Sequence, residues 1–189
     1  MGTSPVESHF TRGSGVRSLR VLAVLLLLAA SDVLIPASPA LGVEVTETFD
    51  IRTSDPNDDN ATLRIEVRRD PQFDPQPVIL TYSPYNTLGD PPPLTDDSIG
   101  NRYVPRGFAR AKGDLLGTRG SSGCWDYGGN REIQSGIDVV KFLAGKTPDV
   151  DGNFITWSTG KVAMIGGSYE GTTANMVAAR GPEKRINAA

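Results

Sequence analysis

The sequence predicts an α/β protein in which an N-terminal antiparallel hairpin leads into a parallel sheet with flanking helices. Two observations indicate the hairpin: apolar and polar residues alternate along 43–51 and again along 63–67, and a run of turn-forming residues, SDPNDDN at 54–60, separates the two segments. A third observation indicates the parallel sheet. Short apolar runs at 78–82 and 162–165 alternate along the chain with stretches of helical period.

The middle of the chain supplies two further strands and a loop. Pro77 precedes the apolar run 78–82, which is too short for a helix and suits a buried strand. Residues 108–112 also predict a strand, although Arg110 and Lys112 are unusual in a central position. Five glycines between residues 114 and 129 then predict a long loop.

Two helices complete the pattern. The first has apolar residues at helical spacing between Ile133 and Ala144, with Asn130 as its expected N-cap and Gly145 as its end. The second follows the strand 162–165 after the tight turn GGSYEG and covers 172–180. The order strand, helix, strand, helix predicts parallel pairing of the strands.

The N-terminal 40 residues are predicted to be a signal peptide. Three arginines precede an apolar run of ten residues, 21–30, and Ser38-Pro39-Ala40 supplies small residues for a cleavage site. The run is about half as long as a membrane-spanning helix requires, so no permanent membrane anchor is expected. We therefore expect a secreted or extracytoplasmic protein that is cleaved after Ala40.

Composition excludes several functions for this chain of 189 residues. The net charge of −3 leaves no basic excess for nucleic acid, and a single cysteine rules out an internal disulfide or a cysteine-rich metal site. No cofactor or metal is expected, and the sequence does not predict an oligomeric state. The only histidine is His9, so the predicted mature chain contains none.

The turn Gly166-Gly167-Ser168-Tyr169-Glu170-Gly171 is the strongest candidate for chemistry. A serine on a sharp bend between a buried strand and a helix points its hydroxyl outward at the carboxyl edge of the sheet, and the helix N-terminus adds positive potential there. The same turn can also serve only to link a strand to a helix, and it departs from the GxSxG pattern because Glu170 occupies the last glycine position.

Four segments together resemble the X-prolyl dipeptidyl-peptidase and cocaine-esterase branch of the α/β hydrolases. They are Ser83-Pro84-Tyr85, the glycine-rich segment 107–129, the helix REIQSGIDVVKFLAG and the turn around Ser168. The resemblance covers residues 43 to 183. It implies an α/β-hydrolase fold, of which this chain supplies the N-terminal part.

The resemblance also implies roles for individual residues. Ser168 is expected to be the nucleophile, and the hydroxyl of Tyr85 and the backbone N–H of Tyr169 are expected to stabilise an oxyanion. The side chain of Tyr169 is then expected to matter little. Glu170 is a weaker candidate for attracting the free amino group of a substrate. The implied substrates are small peptides, esters or amides.

The resemblance leaves one requirement of the family unmet. Family members carry an acid and then a histidine well after the nucleophile, whereas residues 169–189 contain neither aspartate nor histidine. We therefore expect 41–189 to be the N-terminal portion of a hydrolase domain, truncated after the helix that follows Ser168 and inactive by itself. The alternative is a non-catalytic fragment or degenerate paralogue that at most binds ligand.

Overall fold

The described residues form a mixed six-stranded sheet, in the order β1-β2-β4-β3-β5-β6. The computed structural model describes residues 42–57, 60–86, 94, 97–181 and 186–188. The strands are β1 (Val45–Arg52), β2 (Thr62–Arg69), β3 (Gln76–Ser83), β4 (Ala109–Asp114), β5 (Ser158–Met164) and β6 (Ile186–Ala188). The α-helices are α1 (Ser98–Tyr103), α2 (Asn130–Leu143) and α3 (Tyr169–Arg180), and two 3-10 helices cover Pro71–Phe73 and Val104–Arg106.

The predicted hairpin forms the edge of this sheet. β1 and β2 pair antiparallel, with Phe49 opposite Ile65 and Ile51 opposite Leu63. Ile51, Leu63, Ile65 and Val67 are buried, as alternation with period two requires for the inward face of a strand. The hairpin prediction is therefore confirmed, while residues 58 and 59 of its turn lie outside the described part of the chain.

The other strands form the predicted parallel sheet. β3 pairs in parallel with β4 on one side and with β5 on the other, and β6 pairs in parallel with β5. β4 also pairs antiparallel with β2, which joins the hairpin to the parallel part. The order places β3 between β4 and β5, so the segments that follow β3 and β5 leave the same edge of the sheet side by side. The expected α/β fold class is confirmed.

The two longer helices pack against each other over one face of the sheet. A Cβ added at Gly136 of α2 would lie 2.5 Å from the Val177 side chain of α3, so only glycine permits this close approach. On the sheet beneath them, the buried Tyr82 donates a hydrogen bond of 2.8 Å to Ser135 on α2. Burial raises the pKa of the Tyr82 phenol. These contacts fix both helices relative to β3.

α2 lies where it is predicted, but its expected cap is wrong, and α3 begins at Tyr169, three residues before the predicted start at 172. α2 begins at Asn130 and ends before Gly145, whose φ of +70° is typical of a residue that terminates a helix. The side chain that caps the N-terminus is Asp126, which accepts from the N–H groups of Arg131 and Glu132 at 3.0 and 3.1 Å. Asn130 instead accepts a hydrogen bond from Arg180. Its own backbone is already helical, so its side chain cannot reach the free N–H groups.

The described residues do not include the predicted signal peptide 1–40 or residues 182–183, where the resemblance ends. Within the described ranges, none of the helices has the length and apolar character needed to span a bilayer.

Candidate active site

The turn between β5 and α3 holds Ser168 in an uncommon backbone conformation. Its φ is +54° and its ψ is −126°, a region that side-chain-bearing residues rarely adopt. Such a conformation costs on the order of 1–3 kcal/mol and persists only where surrounding contacts enforce it. The sharp strand-to-helix bend that the sequence predicts is therefore present at Ser168.

Gly166 makes this sharp turn possible. A Cβ added at Gly166 would lie 2.3 Å from the Cβ of Glu170 and 2.8 Å from the backbone carbon of Glu170. Nothing lies within 4 Å of a Cβ added at Gly167. A glycine is therefore required at 166 for α3 to begin so close to the end of β5. A glycine is not required for this reason at 167.

The hydroxyl of Ser168 does not cap the helix that follows it, although a serine at a helix start usually does. Ser168 is the N-cap of α3, yet its side chain makes no capping hydrogen bond to the helix. The hydroxyl oxygen is exposed and instead accepts a hydrogen bond of 3.3 Å from the Tyr85 hydroxyl. The positive end of the α3 dipole also lies at this residue and favours negative charge there.

Tyr85 and Tyr169 converge on Ser168 from the ends of neighbouring strands. Tyr85 follows β3 and Tyr169 follows β5, and the Tyr169 N–H donates to the Tyr85 hydroxyl over 3.3 Å. The structure thus brings together the three residues that the sequence singled out as nucleophile and oxyanion donors. Both contacts of the Tyr85 hydroxyl are long for hydrogen bonds and Tyr85 is 57% exposed, so the hydroxyl can exchange these partners for a ligand at little cost.

The segment that carries Tyr85 is anchored by two polar contacts. The Tyr85 N–H donates to the Ser83 hydroxyl at 3.1 Å, and the Asn86 side chain donates to the buried carboxylate of Asp114 at 2.8 Å. Asp114 also accepts from the N–H of Gly120 at 3.0 Å, in the glycine-rich loop. The sequence does not predict this link, because the alignment of β3 with β4 that brings Asn86 and Asp114 together has no local signature.

The side chain of Tyr169 has contacts that the sequence did not predict. Its hydroxyl donates to Glu132 at 2.7 Å and accepts from the Trp125 indole N–H at 3.2 Å. Burial and the hydrogen bond to Glu132 raise the pKa of Tyr169 to about 12. One sequence signal could have revealed Glu132: it lies next to Ile133 and one turn before Gly136, so a charged residue falls on the buried side of α2.

Glu170 lines a cavity of about 310 Å³ together with Thr81, Lys112 and the two glycines of the turn, and Ser168 is not among the residues that line it. Its side chain makes no hydrogen bond or ion pair with any residue in the described ranges. The role suggested for Glu170 in binding a substrate amino group stays a prediction.

Asp149 and the single cysteine, Cys124, are not among the residues that hydrogen-bond to Ser168 or the Tyr85 hydroxyl in the described ranges. Asp149 accepts hydrogen bonds from the N–H groups of Asp151 and Asn153 at 3.0 and 2.8 Å, which forms a local turn. Cys124 is exposed beside Trp125 in the glycine-rich loop. Among the residues that the structure describes, no cluster of three or more histidine, cysteine or acidic side chains is arranged to hold a metal ion.

Comparison with known proteins identifies the class. A sequence model of the family described as X-Pro dipeptidyl-peptidase (S15 family) matches residues 59–188. A candidate Xaa-Pro dipeptidyl-peptidase of Bacillus cereus is 35% identical over 158 residues, covering 69% of this chain and 27% of the relative. Another, of Streptomyces avermitilis, is 37% identical over 125 residues, covering 56% of this chain and 18% of the relative.

A solved structure extends the likeness to the fold. An α-amino acid ester hydrolase superposes with a TM-score of 0.61 at 22% identity, covering 84% of this chain and 27% of that chain. The mixed sheet, with its sharp turn between β5 and α3, is that of the α/β hydrolases. More specifically, the chain belongs to the X-Pro dipeptidyl-peptidase (S15) family of hydrolases. It spans about a quarter or less of the length of the two curated relatives.

Proposed function

We propose that this protein is an exported serine hydrolase of the X-prolyl dipeptidyl-peptidase type, in which Ser168 forms an acyl-enzyme. One observation carries the proposal. The Tyr85 hydroxyl lies 3.3 Å from both the Ser168 hydroxyl oxygen and the Tyr169 nitrogen, so one nucleophile and two hydrogen-bond donors meet at one point. This is the arrangement that acyl transfer requires, since the donors must face the oxygen that becomes negative when the nucleophile attacks.

The proposed reaction begins with attack of the Ser168 oxygen on a substrate carbonyl carbon. The new carbon–oxygen bond moves the carbonyl electron pair onto oxygen, and the serine proton passes to a base. When the carbonyl re-forms, the carbon–nitrogen or carbon–oxygen bond to the leaving amine or alcohol breaks, the leaving group takes that proton, and the acyl group stays on Ser168. The Tyr85 hydroxyl turns from Ser168 to the oxyanion, and the Tyr169 N–H is released from Tyr85 to the same oxygen. Both donors already lie beside Ser168, so each has only to exchange its present partner for the oxyanion.

The substrate class rests on the relatives. The curated relatives bear the name Xaa-Pro dipeptidyl-peptidase, and the superposed structure is named for amino acid esters. We propose small peptides with proline in the second position as the substrates, with an ester or amide acylase as the second specificity.

Residues 41–189 supply no histidine to act as the base, because His9 is the only histidine in the sequence. Loss of a triad histidine costs on the order of 10⁶ in turnover. The alternative stays a non-catalytic fragment or degenerate paralogue that at most binds ligand. We expect residues 41–189 alone to show no measurable peptidase or esterase activity and to react only slowly with fluorophosphonate probes. Rapid stoichiometric labelling of Ser168 would contradict this expectation and reveal another base, with Glu170 the first to examine.

The catalytic roles are tested in a longer form of the protein, one that also contains the expected triad acid and histidine and that turns over a dipeptidyl-proline chromogenic substrate. Ser168→Ala should abolish covalent turnover there. Tyr85→Phe removes one oxyanion donor and should lower kcat by about 10² to 10³, with little change in KM. Tyr103→Phe, a matched loss of a hydroxyl on α1, should leave both constants unchanged.

The kinetic constant that changes decides the role of Tyr85. If Tyr85→Phe raised KM alone and left kcat intact, Tyr85 would be a packing or substrate-pocket residue. If Ser168→Ala retained turnover, the proposed serine mechanism would be wrong.

A further inference from the structure

Glu132 is a fully buried carboxylate at the start of α2, and it accepts four hydrogen bonds. One oxygen, Oε2, accepts from the Trp125 indole N–H at 2.8 Å, the Gly128 N–H at 2.6 Å and the Tyr169 hydroxyl at 2.7 Å. The other, Oε1, accepts from the Thr173 hydroxyl at 3.0 Å. The carboxylate therefore joins α2, the glycine-rich loop and the first turn of α3.

The charge of Glu132 is balanced by dipoles rather than by a cation. In the described ranges, no lysine or arginine nitrogen lies within ion-pair distance of Glu132, and the carboxylate is enclosed by hydrogen-bond donors. A buried charge is costly unless it is hydrogen-bonded, so the position of each donor is tied to the carboxylate. The N-terminus of α2 contributes favourable potential, since Glu132 lies in its first turn.

Two of the four donors belong to the helix that begins at the candidate nucleophile. Tyr169 and Thr173 are four residues apart, so both side chains lie on the same face of α3, directed at Glu132. The Trp125 ring packs edge-on against Tyr169, with centroids 5.4 Å apart. The first turn of α3 cannot shift relative to the glycine-rich loop without breaking these contacts.

We propose that Glu132 is a positioning residue, whose carboxylate fixes the first turn of α3 so that Ser168 and the Tyr169 N–H face the Tyr85 hydroxyl. The catalytic consequence rests on the proposed function, whereas the positioning itself does not. Ser168 directly precedes this turn and has an uncommon backbone conformation, which persists only when contacts with the surrounding residues hold it. Glu132 supplies that enforcement through the side chain of Tyr169.

Two substitutions separate the hydrogen bonds of Glu132 from its charge. Glu132→Gln keeps an acceptor oxygen for the three donors at Oε2, and its amide group can donate to the Thr173 hydroxyl. Glu132→Met has a similar length and provides no comparable acceptor. Positioning by Glu132 predicts that methionine displaces the turn and that glutamine largely restores it.

The test uses NMR of the full chain, labelled with ¹⁵N and with 5-fluorotryptophan. Glu132→Met should shift the amide signals of Ser168 and Tyr169 and the fluorine signal of Trp125, while the signal of Trp157 stays in place. Glu132→Gln should return these signals toward those of the unsubstituted chain. Glu170→Gln, a matched loss of a carboxylate beside Tyr169, should leave the Trp125 signal unchanged.

A second variant keeps the proposal testable if Glu132→Met does not fold. Tyr169→Phe removes one hydroxyl and leaves Glu132 intact, and it should shift the Ser168 amide and the Trp125 signal in the same way. In the double variant with Glu132→Gln the shifts should equal those of Tyr169→Phe alone, because glutamine keeps the acceptor oxygen and adds little displacement of its own. The proposal is wrong if the shifts stay within α2 while the Ser168 and Trp125 signals do not move.

These structural readouts do not depend on turnover. In the longer, catalytically active form of the protein used to test Ser168 and Tyr85, Glu132→Met should also lower kcat, by up to about 100-fold, and leave KM nearly unchanged. Failure of the proposed function would appear differently, as turnover that survives Ser168→Ala while the NMR shifts occur as expected.

Discussion

At the scale of single residues, Arg110 shows how a charge is accommodated in the middle of the sheet. Its side chain is 1% exposed and donates to the Asp97 carboxylate at 2.7 Å. Its other nitrogens donate to the carbonyls of Ile79 and Ala111 and to the Thr81 hydroxyl. Burial alone would raise the pKa of Asp97, but the hydrogen bond and charge of Arg110 outweigh it and hold that pKa below its usual range.

Removing one partner of this buried pair should be strongly destabilising. Asp97→Ala leaves the Arg110 charge uncompensated, and we expect it to lower the free energy of unfolding by about 3–5 kcal/mol in urea denaturation. Asp50→Ala removes the carboxylate of a more exposed pair with Arg64 and should cost about 1 kcal/mol or less. Equal losses in the two variants would contradict this account of the Arg110 pair.

The same pair should make stability depend on pH in acid. The pKa of Asp97 is lower in the folded chain than its value of about 3.9 when unfolded. The contribution of this carboxylate is therefore complete above about pH 4 and is lost as the pH falls through the folded pKa. The stability difference between the unsubstituted chain and Asp97→Ala should shrink in that window.

The sequence could predict which residues form the candidate site, but it could not predict what supports them. Ser168 is identifiable because its signal, a turn between an apolar run and a helix, is local. The partners of Arg110 and Glu132 cannot be identified from the sequence in this way. Asp97 lies 13 residues from Arg110, and Tyr169 lies 37 residues from Glu132. Only the folded sheet brings these pairs together.

At the scale of elements, the turn between β5 and α3 depends on the absence of one side chain. Gly166→Ala would place a Cβ 2.3 Å from the Cβ of Glu170, so the start of α3 would have to move. We expect a loss of about 1–3 kcal/mol in the free energy of unfolding, typical of overpacking. Gly167→Ala meets nothing within 4 Å and should change stability by less than about 1 kcal/mol.

Chemical denaturation of these two variants tests that expectation directly. They add the same methyl group at consecutive positions, so any general effect of replacing glycine by alanine cancels. Equal stability of the two variants would mean that the turn accommodates a side chain at Gly166, and that the close approach of strand and helix is not required.

Elements with a strong internal pattern were predicted well. The alternation in β1 and β2 reflects one buried face, and the apolar run in β3 reflects a strand covered on both sides. The cap of α2 was predicted wrongly because the side chain of Asp126 reaches the helix from the preceding loop. The conformation of this glycine-rich loop cannot be predicted from the local sequence, because it depends on contacts of the loop with Glu132 and Tyr169.

At the scale of the whole molecule, the first 40 residues and the sheet-forming remainder are expected to have separate roles. We predict that the protein is exported and cleaved after Ala40, because a positive region, an apolar run and small residues follow in the order of a signal peptide. Mass spectrometry of the extracellular protein should then find Leu41 as the first residue. An intact N-terminus on protein retained inside the cell would contradict the prediction.

The parallel pairing of β3 with β5 sets when the candidate site can form during folding. Leu80 and Met164 are partners in that pairing although 83 residues separate them in the sequence. Closing so long a loop carries an entropic cost before any contact repays it, and such non-local pairings slow folding. We therefore expect Tyr85 and Ser168 to meet late, after the local hairpin of β1 and β2 has formed. Until β5 pairs with β3, the chain contains the residues of the candidate site but not their arrangement.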